Sequence, residues 1–186
     1  MRYRQIHLDF HTGDCMPGVG SEFSEEDFAQ ALTEGHVNSI TLFSKCHHGW
    51  SYHPTEVNKM HPTLNTDLLG RQLAVCEKLG VRTQIYLSAG FDERMAKEHP
   101  EYLTVYKWGG QNMLEPGFHF VCFNNEDYLD LLCREAREIL SRYLGRFDGL
   151  FLDICTPEPC VCKTCTDEML SLGLDPRNDA DIDKHR

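Results

Sequence analysis

The chain lacks any apolar run long enough to span a bilayer. No leader is expected either, since residues 1–7 (MRYRQIH) have no apolar stretch behind their charges. A cytoplasmic location without a membrane partner is therefore expected. Basic residues are scarce, with 18 Lys and Arg against 29 Asp and Glu and a formal net charge of -11. Nucleic-acid binding needs clustered cations on the phosphates, so that class is excluded, and anionic membrane surfaces with it. No G-x-G-x-x-G fingerprint stands in residues 11–20 (HTGDCMPGVG), and no P-loop is present, which argues against nucleotides. Internal repeats and low-complexity segments are missing too. Cysteine, by contrast, is plentiful: nine residues, an odd number, four of them crowded near the end. In a reducing compartment such a cluster is a metal site or a set of reactive thiols rather than a disulfide frame.

The 186 residues, 41% apolar and 25% charged, suffice for one globular domain with a sizeable core. Strand-like and helix-like segments alternate. Residues 4–10 (RQIHLDF), 38–43 (NSITLF), 81–87 (VRTQIYL) and 147–154 (FDGLFLDI) read as four strands. Between them, Ser24 can cap a helix with acids in its first turn. Residues 68–79 carry Leu69, Leu73, Cys76 and Leu79 on one stripe, with Gly80 where a helix end favours positive φ. Residues 92–98 form a polar helix-like stretch, and an irregular segment runs on to residue 118. Residues 127–143 show the strongest helical periodicity. Such alternation means right-handed crossovers and a parallel sheet.

Without a nucleotide fingerprint, the expected fold is α/β, of the (β/α)8 TIM-barrel type. A closed barrel takes about 250 residues, so the chain is expected to carry its first half, strands one to four. Residues 1–172 would form this partial catalytic barrel. The polar stretch 173–186 would be a tail at the truncation point. A half barrel would leave strand edges and apolar surface unpaired, so the isolated chain is expected to be oligomeric or poorly soluble.

In a parallel barrel the chemistry sits at the C-terminal ends of the strands. The first strand ends in residues 7–11 (HLDFH), and alternation puts His7, Asp9 and His11 on one side. The second runs into residues 45–53 (KCHHGWSYH), the third into residues 88–92 (SAGFD), and the fourth reaches Asp153. Each of these residues alone reads as an ordinary structural one. Several ionisable groups on one rim point to a site, because burying them unpaired is costly. The chemistry suggested is binding of a neutral oligosaccharide or glycoside. Trp50 and Tyr52 can stack on a pyranose ring. Lys45, His47 and His48 can donate to hydroxyls, with His7, Asp9 and His11 alongside. Asp153 can attack an anomeric carbon. Asp9 and Asp92 are candidates for the second carboxyl, unless it lies beyond this chain; without it the isolated chain would be inactive.

Residues 43–50 (FSKCHHGW) resemble the Lys-His-His-Asp-Gly-Phe motif of α-L-fucosidases, in which the histidines hold the sugar. Residues 143–154 (YLGRFDGLFLDI) resemble the strand of that family whose Asp is the nucleophile, and Asp153 falls on that Asp. Residues 7–11 are similar to the first strand of the same clan, which places a His in the pocket; either His7 or His11 matches. Over residues 4–176 the chain resembles a set of glycosyl hydrolases related to these fucosidases, which often carry a β-galactosidase-type trimerisation domain. The resemblance implies a retaining exo-glycosidase of fucosidase or galactosidase type, homo-oligomeric at full length. Two positions depart from the fucosidase pattern: Gly49 stands where that motif has Asp, and Ile154 rather than Gly follows Asp153.

Cys155, Cys160, Cys162 and Cys165 spell C-x4-C-x-C-x2-C, a thiolate array suited to a structural, closed Zn2+ site. Similar clusters after strand four hold zinc in some barrel β-galactosidases, with one ligand from an earlier loop. Cys122 fits that role in place of Cys155. Two other readings stay open. One is a non-catalytic carbohydrate-binding barrel. The other is a metal-dependent amidohydrolase or deacetylase using His7, Asp9, His47 and His48.

Overall fold

The computed structural model describes residues 3–111, 113–114 and 117–186. It shows an α/β fold in which β1 (Gln5–His7), β2 (Ser39–Lys45), β3 (Arg82–Ser88) and β6 (Gly149–Asp153) form a parallel sheet. The strands lie in chain order across the sheet. A doubly wound sheet would reverse that order at a switch point; these four strands show no reversal. A short antiparallel pair, β4 (Met113–Leu114) and β5 (Phe118–His119), occupies the segment expected to be irregular.

The elements follow from local chemistry. In α1 (Glu25–Glu34), Ser24 accepts a hydrogen bond from Asp27 N at 3.1 Å, as a capping serine should. Helix α2 (Leu68–Leu79) has the predicted bounds. Asp67 caps it by accepting from Gly70 N at 2.8 Å, and Gly80 ends it at φ 65°. Of its expected stripe, Leu69, Leu73 and Cys76 are fully buried, whereas Leu79 at the helix end is exposed. The long α4 (Glu126–Arg142) is displaced by one residue from the expected span, within the ordinary uncertainty of helix ends. Every residue of β2 is buried, as a parallel strand covered on both faces requires.

The chain divides into two compact units. The first, Met1–Ser88 with Arg134–Asp153, contains the parallel sheet. Its core gathers Val19, Phe43, Cys46, Tyr52, Leu64, Leu68 and Tyr86, with Phe10, Phe23 and Met60 packed against it. The second, Ala89–Cys133 with Ile154–Arg186, contains α3 (Glu93–Glu98), the β4–β5 pair, α5 (Lys163–Ser171) and α6 (Asp179–His185). Neither α5 nor α6 was expected. Residues 173–186 hold a helix capped by Asn178 and anchored by Ile182, which is 5% exposed. A single buried isoleucine among acids gives too little periodicity to reveal a seven-residue helix in the sequence. No described helix is long and apolar enough to cross a membrane.

Candidate active site

The C-terminal ends of the sheet strands carry a row of rings topped by a row of polar groups. Alternation along each strand sends every second side chain to one face. Sheet register then aligns Phe43 with Tyr86 and Tyr86 with Phe151. Phe43 and Tyr86 stack with centroids 3.8 Å apart, and Tyr86 stacks on Phe151 at 5.9 Å. His7 closes the row, meeting Phe43 edge-on at 5.3 Å and lying 5.7 Å from Phe151. Next along the strands, Ser88 pairs in register with Asp153.

Asp153 is the focus of the polar row. Its Oδ2 accepts a hydrogen bond from the Tyr86 hydroxyl at 2.7 Å and lies 3.8 Å from His47 Nε2. The other ring nitrogen of His47, Nδ1, is 2.7 Å from Ser88 Oγ. His11 stacks on His47 with centroids 4.1 Å apart, and its Nδ1 accepts from His47 N at 3.2 Å. The far nitrogen of His11 contacts Asp9 at 2.8 Å. Burial lowers the pKa of His47 to about 4, and the neighbouring His11 pushes the same way against the pull of Asp153 and Asp9. Burial lowers His11 as well, opposed by Asp9. Burial raises the Tyr86 phenol, and its hydrogen bond to Asp153 adds to that. At neutral pH the two imidazoles are thus uncharged, beside the Asp153 carboxyl and the Tyr86 hydroxyl.

The fold gathers His7, His11, His47 and Asp153 with Asp9 in one unit, but it sends other expected residues elsewhere. Lys45 is 1% exposed and its ammonium is 2.7 Å from Glu135 Oε2, inside the protein. The cause is a β-bulge: Phe43 pairs with Tyr86 and Lys45 with Leu87, so two steps on β2 oppose one on β3. Lys45 therefore shares the face of Leu87 instead of the face of Tyr86 and Ser88. Tyr52 is 1% exposed and belongs to the core; its hydroxyl donates to Phe10 O at 2.9 Å and accepts from Thr12 N at 3.1 Å. It offers no platform to a ligand. His48 and Trp50 are half-buried on the turn after β2, where Trp50 meets His61 edge-on at 6.3 Å. Gly49 adopts φ 84° in that turn, a conformation glycine takes without strain, which accounts for glycine at this position. Asp92 is fully buried in the second unit and caps α3 by accepting from Met95 N. Tyr86 and Ser88 were not foreseen as site residues. Their two-residue spacing at the end of β3 was the available signal.

In the second unit, Cys122, Cys160, Cys162 and Cys165 are buried together, their sulfurs all within 4.8 Å of one another. Cys155 is exposed and outside this group, so Cys122 takes the place first given to Cys155. The sulfurs of Cys122 and Cys165 are 3.5 Å apart and those of Cys162 and Cys122 3.7 Å. Tetrahedral Zn–S bonds of about 2.3 Å would put sulfurs about 3.8 Å apart, so the donor set fits such an ion. Val105 N and Asn124 Nδ2 each donate to a sulfur at 3.4 Å, as expected around thiolates. Contacts with Cys122, and after it with Cys160 and Cys165, hold Cys162 well below the usual thiol range. Among the described residues this is the one group of metal-ligating side chains so gathered, and the set His7, Asp9, His47 and His48 does not form another.

Residues 24–154 match the model of a family described as hypothetical glycosyl hydrolase 6. No curated protein matches the chain. Among solved structures, the chain is similar to α-L-fucosidase isoenzyme 2 from Paenibacillus thiaminolyticus, at 45% identity and a TM-score of 0.92 over 98% of this chain. It spans 28% of the length of that fucosidase. A hypothetical protein from Ruminiclostridium thermocellum shares the fold at 15% identity and a TM-score of 0.63, with 98% of this chain and 88% of that one covered. An α-L-fucosynthase from Thermotoga maritima does so at 19% identity and a TM-score of 0.53, over 79% of this chain and 30% of that one.

Proposed function

The chain belongs to the hypothetical glycosyl hydrolase 6 family, related to the α-L-fucosidase clan, and from that premise we propose that it carries the nucleophile of a retaining exo-glycosidase acting on a neutral carbohydrate. The observation that carries this reading is the setting of Asp153: a carboxylate at a parallel-strand end, hydrogen-bonded by Tyr86 and facing an uncharged His47. Such a carboxylate attacks the anomeric carbon as the leaving-group oxygen is protonated, and water then hydrolyses the glycosyl-enzyme. Tyr86 orients the attacking oxygen. His47, His11 and His7 contact the sugar, and the Phe43–Tyr86–Phe151 row backs the pocket. We place the acid/base carboxyl on a strand other than these four. The chain-order sheet supports a (β/α)8 barrel, with residues 1–172 as its first part. The buried four-cysteine cluster suits a reducing, cytoplasmic setting. Full-length homo-oligomerisation is part of the same proposal.

Replacement Asp153→Asn in the full-length protein is expected to abolish turnover of an aryl glycoside while leaving sugar binding in place. Turnover within severalfold of the parent would end the nucleophile assignment.

The four-cysteine cluster is assigned to a structural Zn2+ held by Cys122, Cys160, Cys162 and Cys165. With four thiolates the ion has no open position for catalysis; it supplies cross-linking of the segments that carry its ligands. Protein purified without chelator is expected to hold one equivalent of zinc by elemental analysis, lost with folding cooperativity in Cys162→Ser. Zinc-free protein of unchanged thermal stability would overturn the assignment.

A further inference from the structure

The second unit has a feature the glycosidase site does not use. Trp108 is 73% exposed. It is not a loose side chain. Tyr106 stacks on it with centroids 4.6 Å apart and planes 17° from parallel. The turn beneath is closed by Tyr106 N donating to Gly110 O at 3.0 Å and Gly109 N donating to Tyr106 O at 2.9 Å. Gly109 and Gly110 take φ of 82° and 88° there, so the turn is built for glycine. The ring pair borders a cavity of about 210 Å³ that is also lined by Pro159, Val161 and, from α6, Asp179 and Asp183. These two carboxylates are four residues apart and so share one helix face. Lys107, also on the lining, pairs with Asp179.

We propose that this cavity is a second carbohydrate-binding site, distinct from the one around Asp153, that takes a single neutral sugar ring. A pyranose has an apolar C–H face and a rim of hydroxyls. The cavity answers each with matching chemistry: the indole plane for the face, and Asp183 with the Lys107–Asp179 pair for the hydroxyls. It is smaller than the roughly 300–1,000 Å³ of drug-sized sites, which suits one ring rather than a chain laid lengthwise. Anionic ligands meet two carboxylates. A cation finds its natural position taken by the Lys107 ammonium. Ring stacking and the glycine turn hold the platform in place, so little order is lost on binding. In the working enzyme the site would hold a sugar unit of the substrate or of the polymer bearing it.

The chain has two tryptophans, Trp50 and Trp108, so its indole N–H spectrum has two signals, of which the Trp108 signal reports the proposed site and the Trp50 signal serves as an internal reference. Trp108→Phe assigns them. Titration with maltotriose, cellotriose and 2′-fucosyllactose is expected to move the Trp108 signal saturably with at least one sugar. In Trp108→Ala, checked for folding by an unchanged Trp50 signal, the dissociation constant for that sugar should rise about tenfold or more, as for a binding hot spot. Asp183→Asn, which spares the ring, should weaken binding by several-fold. A Trp108 signal unmoved by all three sugars would overturn the proposal. So would an equal response to tetramethylammonium, which would make the site a cation cage. Movement of Trp50 alone would leave the glycosidase reading standing and end this one.

Discussion

Two imidazoles stacked 4.1 Å apart cannot both take a proton without mutual repulsion, and His47 has lost its hydration as well. Its pKa falls from an ordinary 6.5 to about 4 on folding. Between those values the unfolded chain holds more protons than the folded one, so stability rises with pH across that window. The folded state therefore loses stability as pH drops from about 6.5 toward 4, by up to about 3 kcal/mol for His47 alone. His11, lowered for the same reason, adds to the loss. Urea unfolding at pH 7 and pH 4.5 is expected to show this drop, and His47→Gln is expected to flatten most of it. An unchanged pH slope in that variant would remove His47 as the cause. At this scale the sequence was informative about residue type and silent about side. The histidines and Asp153 stood out as polar groups at strand ends. Lys45 looked identical to them, and only the bulge in β2 turned it toward Glu135.

The close passage of two loops decides what the elements can carry. Gly90, just after β3, lies so near the residue that follows β6 that an added Cβ would sit 1.8 Å from Ile154 O. Ile154 itself adopts φ 57°, a left-handed conformation that a β-branched residue enters only under strain. Strain of this sort persists where surrounding structure imposes it, often beside functional groups, and Ile154 directly follows Asp153. Gly90→Ala is expected to destabilise the protein by about 3 kcal/mol or more, since backbone rather than a yielding side chain blocks the methyl. Thermal unfolding checks this, and a neutral outcome would mean that the two loops move apart freely. Helices α1, α2 and α4 were legible because caps and periodic apolar residues are written locally. Helices α5 and α6 were not, because α5 starts at Cys162 without a side-chain cap bond and α6 rests on Ile182.

At the scale of the whole molecule, β6 ends the described sheet with large apolar side chains on both faces. Phe151 is 43% exposed and Leu152 48%. An edge of this kind is a template for pairing with another strand. The 186-residue chain is expected to self-associate at micromolar concentration in sedimentation experiments, and Leu152→Lys should shift it toward monomer. A monodisperse monomer at high concentration would contradict this account of the edge.

The order of the four sheet strands, their parallel pairing, the limits of α2 and a cysteine-rich loop were all determined by the sequence alone, because propensity, capping and spacing act over a few residues. Three decisions belonged to the tertiary structure. Cys122 joined Cys160, Cys162 and Cys165 while Cys155 stayed outside. Tyr86 was brought to Asp153, 67 positions away. Tyr52 went to the core rather than to the pocket. Each depends on which segments meet across the chain and which face a strand presents after a bulge, and no local pattern of residues encodes that.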